Sequence, residues 1–386
     1  MSRLLYPRII APPQESFFLF GPRGVGKSTW AQEHFAEGHR IDLLDQARYQ
    51  DLLTDPKLFA DELRILPRGS WVVVDEIQRI PGLLNEVHRF IQERSLRFVL
   101  LGSSARKLKT SGTNLLAGRA LWKIMYPFVP EELGEDFELD ATLQFGSIPL
   151  IWGARSKRRT LEAYVQLYLR EEIKAEALVR NLPGFLRFLP IAALFHGQVI
   201  NVAAIARDAG TARTTVSGYL DILEDTLLAY RLSAFEPRLR VRERKHPKLY
   251  WVDPGLMRAV KKQLGPVAVE EKGALFEGWV LTLLRAYAEE RELFEEISYW
   301  APSQRQRVEV DFVLRRGREL LAIEVKSAVR FSRSALSGLR AFGELPQVVR
   351  RVVVYRGAER LKTDEGIEVW PVQTLLRRLE EDDLWP

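Results

Sequence analysis

The feature that most constrains this chain is a short apolar run followed at once by a glycine-rich stretch. Phe17–Phe20 has the composition of a buried strand, and a helical pattern resumes near Ser28. The residues between them follow the spacing Gly-x4-Gly-Lys-Ser, which is that of a phosphate-binding P-loop. Because glycine adopts backbone angles that other residues avoid, such a loop can turn successive N–H groups toward a polyphosphate. The sequence therefore predicts an α/β fold with a nucleotide-binding loop.

The predicted loop assigns separate tasks to neighbouring residues. Lys27 is placed to reach the β- and γ-phosphates of a nucleotide, and the Ser28 hydroxyl is placed to hold Mg²⁺. The helix that begins near Lys27 adds the positive end of its dipole. ATP and Mg²⁺ are therefore the predicted cofactors. The predicted nucleotide-binding residues are Gly21, Pro22, Arg23, Gly24, Val25, Gly26, Lys27, Ser28 and Thr29.

Length and composition narrow the class of protein. The 386 residues are enough for two or three domains, and the absence of cysteine excludes disulfides and thiolate chemistry. No apolar run is long enough to span a bilayer and no signal-peptide pattern occurs, so a cytoplasmic protein without membrane segments is expected. The net charge of +6 and the pI of about 9.4 favour a polyanionic partner.

Two acids follow a second apolar run. Trp71–Val74 predicts a buried parallel strand, and Asp75 and Glu76 stand at its carboxyl end, where open α/β sheets place their ligands. Asp75 is expected to bind Mg²⁺, directly or through water, and Glu76 is expected to polarise the attacking water. The alternative is a strand that simply stops at acidic turn residues.

A further buried strand is predicted to end in Ser103 and Ser104. Either serine is placed to sense the γ-phosphate, from a strand that lies between the other two. Arg119 precedes Leu121–Tyr126, the predicted last strand of this core. In the oligomeric ATPases called AAA+, an arginine near this point reaches the γ-phosphate of the neighbouring subunit. Arg119 is the candidate for that role, and a solvated loop arginine is the alternative.

The middle of the chain has the pattern of a DNA-binding helix pair. A short helix is predicted over 202–207, a turn over 208–211 and a second helix over 212–225. The apolar residues of the second helix share one face, which leaves Arg213, Thr214 and Ser217 outward at its start. This is the plan of a helix-turn-helix, whose second helix enters the major groove.

A basic segment follows between two predicted strands. It spans 237–247, and its basic residues are Arg238, Arg240, Arg242, Arg244 and Lys245. A basic hairpin at this point corresponds to the wing of a winged helix and suits backbone phosphates of DNA. Winged helices also serve as protein contacts, so that alternative stays open.

The C-terminal third carries a cluster of charged residues on a predicted hairpin. Alternation in the second strand puts Glu324 and Lys326 on one face, and Asp311 can meet them from the first strand. Glu277, on a preceding predicted helix, is a further candidate ligand. Two carboxylates and a lysine that converge over a sheet can hold Mg²⁺ and orient a water against a phosphodiester. The alternative is a hairpin with outward-facing charges.

Nearly the whole chain resembles the prokaryotic AAA+ ATPases that share a C-terminal region of unknown function. The resemblance implies a P-loop ATPase, DNA binding and a homo-oligomer such as a ring. The matching stretches are Gly21–Thr29, Val72–Glu76, Leu101–Ser104, Leu115–Arg119, Tyr168–Glu172, Val216–Leu227, Pro247–Gly255 and Glu309–Ser327.

The last of these stretches is similar to the (P)D-(D/E)-x-K signature of restriction-endonuclease-like proteins. The resemblance implies that Asp311, Glu324 and Lys326 stand in catalytic positions and that Glu277 is the helix acid. The proline expected before the aspartate is replaced by Val310, a departure from the signature.

The predicted organisation has four parts. They are an AAA+ P-loop ATPase core with a parallel sheet over 1–127, a helical lid or connector over 128–190, a winged helix over 191–258 and an α/β nuclease-like domain over 259–386. The favoured function is an ATP-hydrolysing, DNA-binding protein that remodels or translocates on DNA, with branched DNA in recombination or repair as one setting. The alternatives are an ATP-controlled DNA endonuclease in repair or defence and a nucleotide-dependent regulatory DNA-binding switch.

Overall fold

The protein, in a computed structural model, is described for residues 6–104, 106, 108, 116, 118–168, 181–236, 246–302 and 308–386. Its described strands form three sheets. The strands are β1 (Phe17–Phe20), β2 (His39–Asp42), β3 (Trp71–Asp75), β4 (Arg97–Gly102), β5 (Leu121–Ile124), β6 (Gln198–Val199), β7 (Ala229–Leu232), β8 (Lys248–Trp251), β9 (Glu296–Trp300), β10 (Val310–Arg316), β11 (Glu319–Lys326), β12 (Val348–Tyr355), β13 (Leu361–Lys362) and β14 (Glu368–Pro371).

Helices surround the sheets. The described α-helices are α1 (Lys27–His34), α2 (Gln46–Thr54), α3 (Lys57–Arg64), α4 (Leu83–Arg94), α5 (Pro130–Leu133), α6 (Leu139–Phe145), α7 (Pro149–Trp152), α8 (Lys157–Ala163), α9 (Leu182–Leu194), α10 (Val202–Asp208), α11 (Arg213–Asp225), α12 (Pro254–Val260), α13 (Val269–Arg291), α14 (Ser337–Phe342) and α15 (Val372–Glu380). Within the described residues, no helix is both long and apolar enough to cross a membrane.

The first sheet is parallel throughout and runs in the order β2-β3-β4-β1-β5. Its central strands are buried on both faces, which explains why their sequences are continuous apolar runs rather than alternating ones. Because the strands are parallel, β1, β3 and β4 all end at the same edge. The glycine-rich loop, the acids after β3 and the serines after β4 therefore lie together, with β4 between β3 and β1 as the sequence predicted.

The second sheet is small and antiparallel, in the order β6-β8-β7. The chain reaches it through α9 and then adds α10 and α11 between β6 and β7. The Asn201 side chain caps α10 by accepting from the Ala204 N–H at 3.0 Å. On α11, Val216, Leu220 and Leu223 are buried and pack into the core, which is the apolar face that the sequence predicted.

The third sheet is mixed and has six strands in the order β13-β14-β12-β11-β10-β9. The predicted hairpin is present as β10 and β11, with Phe312 opposite Ile323. This register brings Asp311 next to the Glu324 end of β11. Beyond the hairpin, β12 runs parallel to β11, and β14 runs parallel to β12.

One continuous apolar core links the second and third sheets. Its buried residues extend from Tyr126 to Trp385 and include helices from all three parts predicted after residue 127. Every side chain of α12 is buried, including that of Arg258, so the predicted boundary between 258 and 259 falls inside a buried helix. Domain boundaries normally lie in exposed linkers.

Candidate nucleotide-binding site

The loop after β1 is shaped by glycines that no other residue could replace without strain. Gly24 and Gly26 have φ angles of 80° and 95°, in the left-handed region that disfavours side chains. A Cβ atom at Gly24 would also lie 2.9 Å from the Leu150 Cβ. The loop is therefore packed closely against the segment that carries α7.

Lys27 is held inside this loop before any phosphate arrives. Its Nζ donates to the carbonyl oxygens of Gly21 at 2.7 Å and Pro22 at 3.2 Å, and the side chain is buried. These contacts fix the ammonium beside the backbone that the phosphates would approach. A fixed charge of this kind needs little reorganisation on binding.

A cavity of about 370 Å³ opens over the loop, within the range typical of small-molecule sites. Residues 23–30 form one wall, and Glu76 contributes from the end of β3. The opposite wall contains Tyr6, Phe128 and Leu150. The cavity therefore joins a polar cradle to an apolar and aromatic surface, which suits a nucleotide with its phosphates on the loop.

Asp75 and Ser28 supply oxygen donors at the base of the cavity. Burial raises the pKa of Asp75, while a hydrogen bond from the Ser28 side chain opposes that rise. In the described part of the chain, Asp75 Oδ1 has no hydrogen-bond partner although it is buried. Hard oxygen donors are what Mg²⁺ requires, so this pair fits a magnesium ion beside the phosphates. The predicted loop and metal residues are thus brought together.

Glu76 sits on a sharp turn and is held by two polar side chains. Its φ of 57° is left-handed, and its carboxylate Oε2 accepts from Gln78 Nε2 and, at 3.3 Å, from Ser103 Oγ. Gln78 Nε2 also donates to Ser103 Oγ at 3.1 Å. Of the two serines, Ser103 therefore contacts the acid, whereas Ser104 Oγ accepts from the Arg106 N–H.

The prediction from sequence missed Gln78. Its side chain is almost fully buried, and a Cβ atom on Gly102 would lie 2.6 Å from its Oε1. The only signal was a polar residue two positions after a pair of acids. Nothing in that spacing indicates that the amide turns back to contact the second acid.

Arg8 was also missed, and it fastens the N-terminal segment across the loop. Its Nη1 donates to the Val25 carbonyl at 2.6 Å and its Nη2 to the Tyr126 carbonyl at 2.5 Å. Its Nε donates to Glu132 Oε1 at 2.8 Å, and the guanidinium lies over the Phe128 ring. In a chain rich in arginine, composition alone could not single it out.

Two contacts connect the loop to the predicted lid. The Tyr164 hydroxyl donates to the Arg23 carbonyl at 2.9 Å, and the Leu150 N–H donates to the Gly24 carbonyl at 3.1 Å. The backbone of the glycine-rich loop is thus supported from residues 150 and 164.

Arg119 lies at the amino-terminal ends of the strands, opposite the end where the loop and the cavity lie. It precedes β5, which starts beside Phe17 at the amino end of β1, and its side chain is exposed. The cavity lies at the carboxyl ends of the strands, so Arg119 does not line it. Action on the site of another subunit stays a prediction, and an exposed loop arginine without a catalytic role is the alternative.

The predicted DNA-binding residues divide into two groups. On α11, Arg213, Thr214 and Ser217 are exposed at the start of the helix. The others lie outside the described residues: Arg238, Arg240, Arg242, Arg244 and Lys245.

A second cluster of charges forms where α13 meets β10 and β11. Asp311 Oδ2 accepts the Val325 N–H at 2.8 Å, and Lys326 pairs with Glu324. Burial, reinforced by the charge of Asp311, raises the pKa of Glu324 to about 8 and that of Glu277 to about 7. The four residues predicted from the sequence therefore converge.

An unpredicted lysine lies among these acids. Lys248 Nζ is 3.2 Å from Glu277 Oε1 and 3.9 Å from Asp311 Oδ1, and it also pairs with Glu309. The Tyr250 hydroxyl donates to Glu277. Among the residues the structure describes, no three acidic or histidine side chains are arranged to hold a metal ion. As arranged, the cluster does not fit Mg²⁺.

Comparisons with known families agree with the first site. Residues 13–134 match the family model described as an AAA domain. Residues 136–266 and 272–375 match two families described as domains of unknown function, DUF8612 and DUF4143.

Relatives extend along most of the chain. A protein of Mycobacterium tuberculosis described as uncharacterized is 28% identical over 384 residues, covering 95% of this chain and 82% of that protein. A Mycobacterium bovis protein, also uncharacterized, matches with the same figures. An uncharacterized protein of Haemophilus influenzae is 23% identical over 274 residues, covering 66% of this chain and 65% of its own length.

Two solved structures show only weak likeness. The Aeropyrum pernix ORC1 protein in complex with DNA is 13% identical, with coverage of 66% of this chain and 87% of that chain and a TM-score of 0.31. Protein VC1899 from Vibrio cholerae is also 13% identical, with coverage of 95% and 96% and a TM-score of 0.24. Scores this low support no inference about this chain. The fold and the family match together show that the N-terminal parallel sheet carries a nucleotide-binding P-loop of the AAA type.

Proposed function

We propose that this chain is an ATP-hydrolysing, DNA-binding protein that remodels or translocates on DNA. The observation that carries the proposal is that Lys27, Ser28 and Glu76 line one cavity and that Asp75 is hydrogen-bonded to Ser28. These are the groups that phosphoryl transfer needs: a cation for the phosphates, ligands for Mg²⁺ and an acid for the attacking water.

Each group has a defined task in this proposal. The loop N–H groups and Lys27 bind the phosphates, and Ser28 and Asp75 hold Mg²⁺, which neutralises phosphate charge when bound. Glu76 orients the water. Because Glu76 is hydrogen-bonded to Gln78 and Ser103, its carboxylate is held in one position at the edge of the cavity. Ser103 is also well placed to respond to the γ-phosphate.

The DNA-binding part of the proposal is supported by the second sheet and its helices. The order α9, β6, α10, α11, β7, β8 is that of a winged helix, and α11 takes the position of the recognition helix. The basic segment lies between β7 and β8, where a wing belongs. An overall charge of +6 favours approach to DNA.

A regulatory switch is a second candidate, and one contact favours it. Arg106, just beyond Ser103 and Ser104, has its Nη1 3.0 Å from Asp225 Oδ2 at the C-terminal end of α11. Leu227 packs against the apolar core beside the first sheet. In this proposal, the ion pair between Arg106 and Asp225 couples the segment after Ser104 to the end of the proposed recognition helix, and the nucleotide state controls DNA binding.

The test is the ATPase rate of the full chain with single-stranded, duplex, forked and four-way DNA. We expect one or more of these DNAs to stimulate ATP hydrolysis. We also expect the protein to bind DNA more tightly in one nucleotide state than in the others. Arg106→Ala should weaken the stimulation while leaving the basal rate unchanged, with Arg68→Ala, an exposed arginine of the turn before β3, as the matched control. ATP hydrolysis that no DNA changes would contradict DNA remodelling. DNA binding that depends on nucleotide without appreciable turnover would favour the switch.

A further inference from the structure

We propose that Lys248 is the built-in cation of the C-terminal acidic centre, so that this centre holds an ammonium group in the place where a nuclease would hold a divalent metal. The centre consists of Glu277, Glu309, Asp311 and Glu324 together with Lys248 and Lys326. It is independent of the nucleotide site, and the inference does not rest on the proposed ATPase activity.

The position of Lys248 is the first support. Its side chain is only 5% exposed, and its Nζ lies among carboxylates from α13 and from the start of β10. The three N–H donors of an ammonium can serve several acceptors at once. Lys248 contacts Glu277 and Asp311, two of the acids that were expected to bind metal, and also Glu309.

The carboxylates of Glu277, Glu309 and Asp311 are already paired with the Lys248 ammonium. The Nζ of Lys248 lies 3.2 Å from Glu277 Oε1 and 3.9 Å from Asp311 Oδ1. Mg²⁺ binds oxygen at about 2.0–2.1 Å and demands near-octahedral geometry. A divalent ion added beside Lys248 would also face a like charge at close range in a poorly solvated site. Asp311 Oδ2 accepts a backbone N–H and Glu324 Oε1 pairs with Lys326, whereas Glu324 Oε2 is buried and has no hydrogen-bond partner among the described residues.

The strand that carries Lys248, β8, is connected to α13 by hydrogen bonds through His196. The Trp251 N–H on β8 donates to His196 Nδ1 at 3.0 Å, and His196 Nε2 lies 3.0 Å from the Ala274 carbonyl on α13. A Cβ atom on Gly278 would lie 2.3 Å from His196 Nε2, so the close approach depends on glycine there. Tyr250, also on β8, donates to Glu277. Lys248 is therefore held in the centre by its backbone as well as by charge.

The charge environment keeps Lys248 protonated. Burial acts against its charge, but the neighbouring acids Glu277, Asp311 and Glu309 outweigh that effect and raise its pKa above the usual value. The centre thus joins the second sheet to the third by an internal ion cluster around the Lys248 ammonium.

The inference is tested by Mn²⁺ binding to the full chain without nucleotide, followed by electron paramagnetic resonance. Wild type and Asp311→Asn should bind the same number of Mn²⁺ ions, because no ion in the wild type depends on Asp311. Lys248→Met, which keeps the length of the side chain and removes its charge, should gain one bound ion per chain. The double variant Lys248→Met/Asp311→Asn should lose that ion again. Lys362→Met, an exposed lysine of β13, is the matched control and should behave as the wild type.

Thermal unfolding gives a second readout. In the presence of chelator, the unfolding temperature of Lys248→Met should lie several degrees below that of the wild type. Mn²⁺ should restore part of this difference. In the wild type, Mn²⁺ should cause no change in unfolding temperature that depends on Asp311. Wild-type Mn²⁺ binding that Asp311→Asn removes would overturn the inference, and that arm remains decisive if Lys248→Met fails to fold. A folded Lys248→Met that gains no ion would also overturn it.

Discussion

The nucleotide site and the C-terminal acidic centre are built from the same side chains, with carboxylates and a lysine at the ends or on the faces of strands. They differ in where the lysine ammonium lies. In the nucleotide site, Lys27 Nζ donates to the carbonyl oxygens of Gly21 and Pro22, and the buried Asp75 Oδ1 has no hydrogen-bond partner among the described residues. In the acidic centre, Lys248 lies directly among the carboxylates.

This difference teaches that a set of ligand residues does not by itself make a metal site. A lysine that finds its partners among backbone carbonyls leaves the acids available for Mg²⁺. A lysine that pairs with the acids neutralises their charge. These ion pairs then stabilise the fold, and the acids do not bind a metal ion. The predictions below separate these two uses of lysine.

The largest effect is expected at the nucleotide site. Lys27→Ala should abolish nucleotide-dependent activity, because it removes the charge nearest to the β- and γ-phosphates. Glu76→Gln should retain ATP binding and slow hydrolysis by about 10²–10⁴-fold, the usual contribution of a positioned acid or base. Nucleotide titration and steady-state ATPase measurements separate the two variants. Glu93→Gln, an exposed acid of α4, is the control, and equal loss of binding in both site variants would contradict the roles assigned.

Stability should respond strongly to the other lysine. Lys248→Met leaves buried carboxylates without their cation, and breaking a buried pair in this way costs about 3–5 kcal/mol. Lys326→Met should cost no more than about 1 kcal/mol, because its side chain is 42% exposed and its pair is partly solvated. Denaturant unfolding of both variants measures the difference. Equal costs would show that Lys248 is not the central cation.

Acid should weaken the link between β8 and α13 through His196. Burial lowers the pKa of His196 to about 4 from the 6.5 that is usual for a solvated histidine, as in the unfolded chain. Between these values the unfolded state binds more protons, so stability falls as the pH drops from about 6.5 to 4, by up to about 3 kcal/mol. His196→Gln should flatten this part of the pH profile in urea unfolding. An unchanged slope would mean that His196 does not titrate as its burial indicates.

The smallest effect is expected from Arg119, the arginine predicted to reach the nucleotide site of a neighbouring subunit. Mixing Arg119→Ala with Lys27→Ala chains should restore part of the ATPase rate, because some interfaces then contain one intact site and one intact arginine. The rate of the mixture is compared with that of each parent and with a mixture of Lys27→Ala and Arg68→Ala chains. A mixture no more active than the Arg119→Ala parent would count against a shared site.

Much of the fold could be predicted because its strands have strong local signals. Phe17–Phe20 and Trp71–Asp75 are apolar runs that end in glycine or acids, and both strands begin and end as predicted. Alternation in the C-terminal hairpin placed Glu324 and Lys326 on the correct face. The helical region after β2 is divided into α2 and α3 at Pro56, which disfavours helix in the preceding residue.

What could not be predicted depends on contacts between distant elements. Lys248 resembles an ordinary charged residue of a strand until α13 and β10 bring their acids to it. The roles of Arg8 and Gln78 likewise depend on the backbone and side chains that surround them in the folded protein. Sequence pattern reports which residues share an element and a face, but the partner of a buried charge is decided by tertiary packing.

The measurement that tests the central claim most directly is the number of Mn²⁺ ions bound per chain in the presence of a non-hydrolysable ATP analogue. We predict one ion, which requires the nucleotide, is lost in Asp75→Asn and is unaffected by Asp311→Asn. An ion that is insensitive to Asp75→Asn, or a second ion that depends on Asp311, would contradict the account.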